Sequence, residues 1–307
     1  QRQMCIRDRP MVLLELFSGI GGFSKGLEAA GYTFDKVYFS EIDKHAIANF
    51  KYNFPYAEHI GTVTNIGEVG IERPHIVTFG SPCQNFSAIG DGKGLQGGES
   101  HLVRYAVEAV RRFRPDVFIW ENVKGIFFAR HRPDFWSIVK AFADIGGYRL
   151  EWQLFNTAWF LPQNRERIYL VGRVADRCTG DVFPFPAPGG GNPPCRKDTV
   201  YPRACGTITR NYYKQPNLGN YLINLKPGET FNEQPTEDQK ARIRMLTEVE
   251  CERLQGFPDD FTRYGIFNEE VGTISRANRY AMLGNAVSVP VVRTIAERIR
   301  RNTVLND

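Results

Sequence analysis

Between Met11 and Val171 the apolar residues fall into two alternating patterns. Short, mostly apolar runs at residues 12–16, 37–39, 76–79 and 117–120, the last of them continuous, have the length and composition of buried strands. Other stretches show helical spacing. In residues 102–113, Val103, Ala106, Val107, Val110 and Phe113 share one face. A helix also runs through Leu27 to Ala30, and Asp134 is expected to cap another that ends near Ile145. Strands follow near 148–155 and 168–171. Strand alternating with helix over this length predicts an α/β domain: a doubly wound, mostly parallel sheet covered by helices on both faces. Ligands of such sheets bind at the carboxyl ends of the strands.

The pattern changes after Val171. Residues 173–243 hold Pro184, Pro186, Pro188, Gly189, Gly190, Gly191, Pro193 and Pro194, with short strand candidates at 206–210 and 221–225. A second, smaller, irregular β-rich domain is expected here. Helical signals return at 247–254, and an amphipathic helix at 289–301 is expected to pack back on the first domain. The division is therefore 11–172 plus 275–307 against 173–274. Residues 1–10 are polar and mixed, and read as a leader outside the fold.

Composition changes this picture little. The chain is 42% hydrophobic and 24% charged, as globular chains are. No apolar run approaches the roughly 20 residues of a membrane span. The six cysteines, at 5, 83, 178, 195, 205 and 251, form no C-x-x-C pair and have no accompanying His cluster. That argues against a zinc site and a disulfide framework, and suits a reducing, cytoplasmic setting. Net charge is +5, and residues 196–226 alone carry six cations against Asp198. Tyr201, Tyr212, Tyr213 and Tyr221 are interleaved with them. Such a mixture suits phosphate contact and base stacking, and a solvated, loop-rich surface explains it equally well.

Four clusters carry chemistry. Phe17-Ser18-Gly19-Ile20-Gly21-Gly22 follows the first strand, where glycines let the backbone approach a ligand. Sites for NAD, FAD and S-adenosylmethionine all use such a turn. Glu41, about 20 residues on and at the end of the second strand, can accept both hydroxyls of a ribose, so an adenosine-bearing cofactor is expected. Gly80-Ser81-Pro82-Cys83-Gln84-Asn85-Phe86-Ser87 places a cysteine on a proline turn at a strand end. Glu121-Asn122-Val123 follows the next strand. In Gln163-Asn164-Arg165-Glu166-Arg167 two arginines at i and i+2 point the same way on extended chain.

In order and spacing these segments, with Arg253-Leu254-Gln255-Gly256-Phe257-Pro258 and Gly284-Asn285-Ala286-Val287-Ser288-Val289-Pro290, resemble the DNA (cytosine-5) methyltransferases of bacteria and phage. The resemblance runs from Leu13 to the last helix and omits 173–243, where that family places its variable target-recognition region. It implies an S-adenosylmethionine-dependent, Rossmann-like enzyme that flips a cytosine out of double-stranded DNA. Cys83 would be the nucleophile that adds to carbon 6. Glu121 would hold ring nitrogen 3 and the exocyclic amine, and Arg167 the carbonyl oxygen, with Arg165 supporting the loop and phosphate. Cofactor contacts are implied for Phe17, Gly19, Ile20, Gly21, Gly22, Glu41, Ile42, Thr62, Pro82, Leu102, Asn285 and Ala286. Gln84, Ser87, Gln163, Arg203, Thr209 and Arg210 are the candidates for DNA contact. The glycine-rich stretch 88–99 suits a lid over the flipped base. No metal is implied.

Two positions depart from the family. Thr62 stands where an Asp usually meets the adenine amino group, which weakens that hydrogen bond, and Ser81 stands where Phe is commonest. The resemblance further implies a monomer in the cytoplasm at the nucleoid, with a cognate restriction endonuclease as partner. A tRNA cytosine-5 methyltransferase on the same scaffold is the nearest alternative. A DNA-binding protein with a decayed site would not need Cys83, Glu121 and Arg167, and a nicotinamide oxidoreductase leaves every motif but the glycine turn without purpose.

Overall fold

The computed structural model describes residues 11–82, 102–186, 205–214, 221–223, 226, 228–229 and 236–305. Its centre is a seven-stranded sheet. β1 (Val12–Leu16), β2 (Lys36–Ser40), β3 (Ala57–His59), β4 (Ile76–Gly80) and β5 (Val117–Val123) are parallel, while β7 (Glu166–Val174) runs antiparallel between β5 and β6 (Tyr148–Asn156). The order is β3-β2-β1-β4-β5-β7-β6. The expected mostly parallel sheet is present, and the β6–β7 hairpin supplies its antiparallel part.

Alternation along β1 shows how the layers form. Leu13 joins a buried cluster with Phe23, Leu27, Val292 and Ile295 on one face. Val12, Leu14 and Leu16 join Val107, Val110, Phe135 and Phe142 on the other. Helices α1 (Gly22–Ala29) and α8 (Val289–Arg301) cover the first face, and α3 (Val103–Phe113) and α4 (Arg132–Ala143) the second. Each such fully buried aliphatic side chain contributes roughly 1.5–3 kcal/mol.

Local chemistry explains the elements that periodicity missed. α2 (Lys44–Asn53) starts at Asp43, whose carboxylate accepts from His45 N and Ala46 N; that acid just past a strand was a legible start signal. The hairpin of β10 (Tyr264–Phe267) and β11 (Glu270–Thr273) turns through Asn268 and Glu269, both at positive φ. α5 (Glu237–Ala241) begins with a capping box at Thr236, as does the expected helix α6 (Glu248–Gln255) at Thr247, and α7 (Arg276–Asn285) precedes α8.

Asp134 is not the cap of α4. The helix starts at Arg132 behind His131, and Asp134 lies in its first turn, where a carboxylate still opposes the helix dipole. Residues 206–210 are not a strand either. Only Cys205 bridges to Gln163, and side chains take the backbone groups that follow. β8 (Tyr221–Ile223) does form, against β9 (Ile243–Met245). Val182, Phe183, Leu246, Cys251, Phe257, Phe261 and Ile274 belong to the same buried cluster as Leu13. The ends of segment 173–274 are thus part of the core of the sheet domain. Among the described residues no helix is long and apolar enough to cross a membrane.

Candidate active site

The first loop after the sheet's leading strand is built around Glu41. Gly19 N donates to Glu41 Oε2 at 2.8 Å, and Ile42 N and Asp43 N donate to Oε1 at 2.8 and 3.0 Å. The carboxylate is therefore fixed against the glycine turn before any ligand arrives. Gly19 has a φ of +54° and nothing within 4 Å of where a Cβ would stand, so its backbone faces open space in a conformation that favours glycine. Phe17 also has positive φ. Ile42 is 79% exposed, an apolar side chain left in water beside the turn. Ile20 differs from expectation. It is wholly buried in the core, so only its backbone can face a ligand. A Cβ on Gly21 or Gly22 would meet Phe54 or Val287, which makes these two packing positions.

Deeper in the turn, Glu15 on β1 is wholly buried and takes hydrogen bonds from Ser24 N and Ser24 Oγ. Burial pushes its carboxyl up to about 7, against the lowering effect of the Ser24 bonds. Thr62 caps a short 3₁₀ turn at Val63–Asn65, with its hydroxyl 3.4 Å from Thr64 N. Leu102 precedes α3 and packs on the second cluster. Asn285 is exposed at the end of α7, and Ala286 is buried behind it.

The second centre lies at the ends of β4, β5 and β7. Glu121 pairs in register with Gly80 on one side and Tyr169 on the other. It is only 8% exposed. Its Oε1 is 3.1 Å from Arg167 Nε, and its Oε2 lies 3.3 Å from where a Cβ on Gly80 would stand. Burial raises the Glu121 pKa, opposed by the charges of Arg167 and then Arg165. A carboxyl held between those influences can carry or release a proton as a bound ring changes charge. Arg167 falls within β7, so its guanidinium is set by the sheet.

Ser81 emerges as a structural clamp. Its hydroxyl accepts from Trp120 Nε1 at 2.9 Å and from Asn122 Nδ2 at 3.1 Å, all in buried surroundings. The turn that leads through Pro82 to Cys83 is thereby tied to the strand that carries Glu121. Lys124 Nζ reaches Glu166 Oε2 at 2.7 Å and links the two strand ends again. Sequence spacing gave no sign of either.

Two side chains lie deeper than expected. Arg165 supports a loop, as the resemblance implies, and does so from a buried position. It is 2% exposed, and its guanidinium donates to Ile208 O at 3.1 Å, Gly284 O at 3.1 Å and Ala286 O at 2.8 Å. Gln163, a candidate for DNA contact, is turned away from solvent. It is wholly buried, with Nε2 donating to Leu254 O at 2.8 Å and Oε1 accepting from Ile208 N at 3.1 Å. Both side chains help hold segment 205–214 against the sheet domain. A Cβ on Gly284 would stand 2.2 Å from Arg210 N and 2.3 Å from Thr209 C, so only glycine lets the segment come so close. Thr209 is partly exposed and Arg210 exposed. Cys83, Gln84, Ser87, Arg203 and the stretch 88–99 lie outside the described residues. Among the described residues no group of three or more His, Cys, Asp and Glu side chains could hold a metal ion.

A Rossmann-like sheet with an antiparallel β6–β7 hairpin, a carboxylate-braced glycine turn and charged side chains at adjacent strand ends defines a methyltransferase fold. The chain belongs to the C-5 cytosine-specific DNA methylases, whose family profile matches residues 11–187 and 195–301. It is 30% identical to the type II methyltransferase M.NlaX of Neisseria lactamica, over 94% of this chain and 96% of that one. It is 28% identical to the type II methyltransferase M.Bsp6I of a Bacillus strain, over 94% and 98% of the two chains. Among solved structures, the Entamoeba histolytica methyltransferase EhMeth superposes with a TM-score of 0.71 at 16% identity, covering 95% of this chain and 98% of that one.

Proposed function

We propose that the chain methylates carbon 5 of a cytosine turned out of a DNA duplex, with S-adenosylmethionine as methyl donor and Cys83 as nucleophile. The observation that carries this reading is the buried Glu121–Arg167 pair, floored by Gly80 and set on the same sheet edge as the Glu41 cradle. The cradle fits the cofactor: Gly19 offers an open approach, the braced Glu41 suits a ribose, and exposed Ile42 offers an apolar face to an adenine. Phe17, Pro82, Leu102, Asn285 and the backbone of Ala286 complete the proposed surround, with Thr62 beside the adenine amino group. When bound, S-adenosylmethionine supplies an electrophilic methyl group.

The chain's own residues do the rest. Addition of the Cys83 thiolate to carbon 6 turns carbon 5 into a nucleophilic enamine carbon. Glu121 hydrogen-bonds ring nitrogen 3 and the amine, and its raised pKa lets it carry the proton that balances charge in the ring. Arg167 meets the carbonyl oxygen, where negative charge develops. Arg165 acts as a frame for these groups. Loss of the carbon 5 proton and departure of Cys83 restore the ring. The base must leave the stack first, at a cost of roughly a few kcal/mol.

In this reading, residues 11–172 and 275–307 do the chemistry and 173–274 recognise the target. Because both ends of that segment, and Ile208 and Tyr212 in its middle, pack into the core, recognition falls to side chains outside that cluster, with Thr209, Arg210 and Arg203 reaching DNA. A cognate endonuclease, a monomeric state and a place at the nucleoid belong to the same proposal. The test is transfer of label from methyl-labelled S-adenosylmethionine to mixed-sequence DNA and, in parallel, to tRNA. Label on carbon 5 of DNA cytosine is expected; label on tRNA alone would replace this reading with the RNA one.

A further inference from the structure

After β5 the chain passes through a 3₁₀ turn at Lys124–Phe127 and an exposed turn before α4. This stretch leaves the sheet at the edge that holds Glu121 and Arg167. Val123 pairs in register with Arg167, and Lys124 is tied to Glu166. Residues 124–133 contain Lys124, Arg130 and Arg132 and no carboxylate.

The turn is held in shape. Phe128 N donates to Gly125 O at 3.0 Å, and His131 N and Arg132 N donate to Phe128 O at 2.8 and 3.0 Å. His131 is buried, with Nδ1 3.6 Å from Asp134 Oδ2, and its Nε2 takes a hydrogen bond from Arg130 Nε at 3.0 Å. That single bond aims the Arg130 guanidinium and leaves its two terminal nitrogens without a partner among the described residues. Arg132 is exposed, and its side chain has no hydrogen bond or ion pair among the described residues. Phe128 is 42% exposed, while its neighbour Phe127 packs on Phe135. Elsewhere at this edge the guanidiniums of Arg165 and Arg167 are engaged by backbone carbonyls and Glu121.

An ordered turn that follows directly on the strand carrying Glu121, and that presents an exposed ring, the two free terminal nitrogens of Arg130 and the guanidinium of Arg132, has the chemistry of a nucleic-acid contact. Across the site, Arg210 and Lys214 with half-exposed Tyr213 offer the same chemistry from the recognition side. We propose that Phe128, Arg130 and Arg132 form the catalytic domain's own DNA grip, in which the two arginines neutralise phosphates flanking the target nucleotide and Phe128 packs on the exposed base or sugar there. This rests on the DNA-methylating reading above. Because the contacts go to the backbone, they strengthen binding without choosing sequence.

The experiment compares the full chain with an R130A/R132A double variant on a mixed-sequence DNA duplex over a range of salt. Each phosphate contact contributes about 0.9 to the slope of log affinity against log salt, so the variant's slope should be shallower by about 2. Near 0.1 M salt its affinity should fall on the order of tenfold to a hundredfold. R130K/R132K should keep the slope, and Phe128→Ala should weaken binding without changing it. Binding of S-adenosylhomocysteine should be the same in all. An unchanged slope in R130A/R132A, or a change on tRNA but not on duplex DNA, overturns the proposal. Methyl transfer to DNA by the unmodified chain is scored separately. An unchanged slope with normal transfer removes the grip alone, whereas absent transfer removes the underlying reading.

Discussion

The glycine turn at residues 17–22 and segment 205–214 are held by different means. The turn hangs between β1 and β2, strands paired residue for residue from Val12 opposite Lys36 to Leu16 opposite Ser40 and buried on both faces. Segment 205–214 has one bridge, Gln163 to Cys205, and then depends on individual side chains. Gln163 and Arg165 hold Ile208, Thr207 Oγ1 donates to Asn164 O, and the Tyr212 hydroxyl accepts from Leu246 N. A ladder distributes its strength over many equivalent bonds. A clamp concentrates it, and each buried partner left unpaired costs about 1–3 kcal/mol. The sheet side should therefore tolerate single changes that the recognition side does not.

The largest expected effect sharpens the contrast by leaving both supports intact. Glu121→Gln keeps the shape of the side chain and removes its proton chemistry. Methyl transfer should fall by about 10²–10⁴-fold, with the melting transition and DNA affinity close to those of the parent. Gly284→Ala attacks the clamp directly, since its Cβ would drive into the backbone of Thr209 and Arg210. A loss of about 1–3 kcal/mol in stability is expected, with weaker DNA binding and unchanged affinity for S-adenosylhomocysteine. Equal loss on both ligands would erase the distinction between the two regions.

Ser81→Ala comes next. It removes the acceptor shared by Trp120 and Asn122 and should cost about 1–2 kcal/mol. A fall in kcat with little change in KM would mark it as a positioning residue for the cysteine turn. The last effect, read against pH, concerns the glycine-turn side. Glu15 binds its proton more tightly when folded, near 7 against 4.5 in the open chain. Its contribution is fully present below about pH 4.5 and is lost as pH rises to about 7. Glu15→Gln should flatten that decline in denaturant titrations; an identical slope in the two proteins would show that Glu15 is not its source.

The same contrast explains what the sequence made legible. Periodicity reads burial, so β1, β4, β5, α3 and α8 were visible, as were Glu41 and Glu121 at strand ends. Clamps have no period. Nothing in the spacing of Gln163-Asn164-Arg165-Glu166-Arg167 separates Arg167, which meets Glu121, from Arg165 and Gln163, which turn inward to backbone carbonyls and amides far along the chain. The role of Ser81 has no signature in spacing because it needs Trp120 and Asn122 brought alongside it by the β4–β5 pairing. The exposed turn at Phe128 to Arg132 carried too few residues to stand out from an ordinary surface.

The central claim is that Cys83 bonds to the base. A DNA duplex with 5-fluorocytosine in place of cytosine tests it, because fluorine at carbon 5 cannot leave as a proton and the thiol cannot depart. With S-adenosylmethionine present, the chain should become covalently joined to this DNA, and peptide mapping should place the join at Cys83. Cys83→Ser should bind the duplex and form no adduct. An adduct at any other residue, or full methyl transfer by Cys83→Ser, would contradict the account.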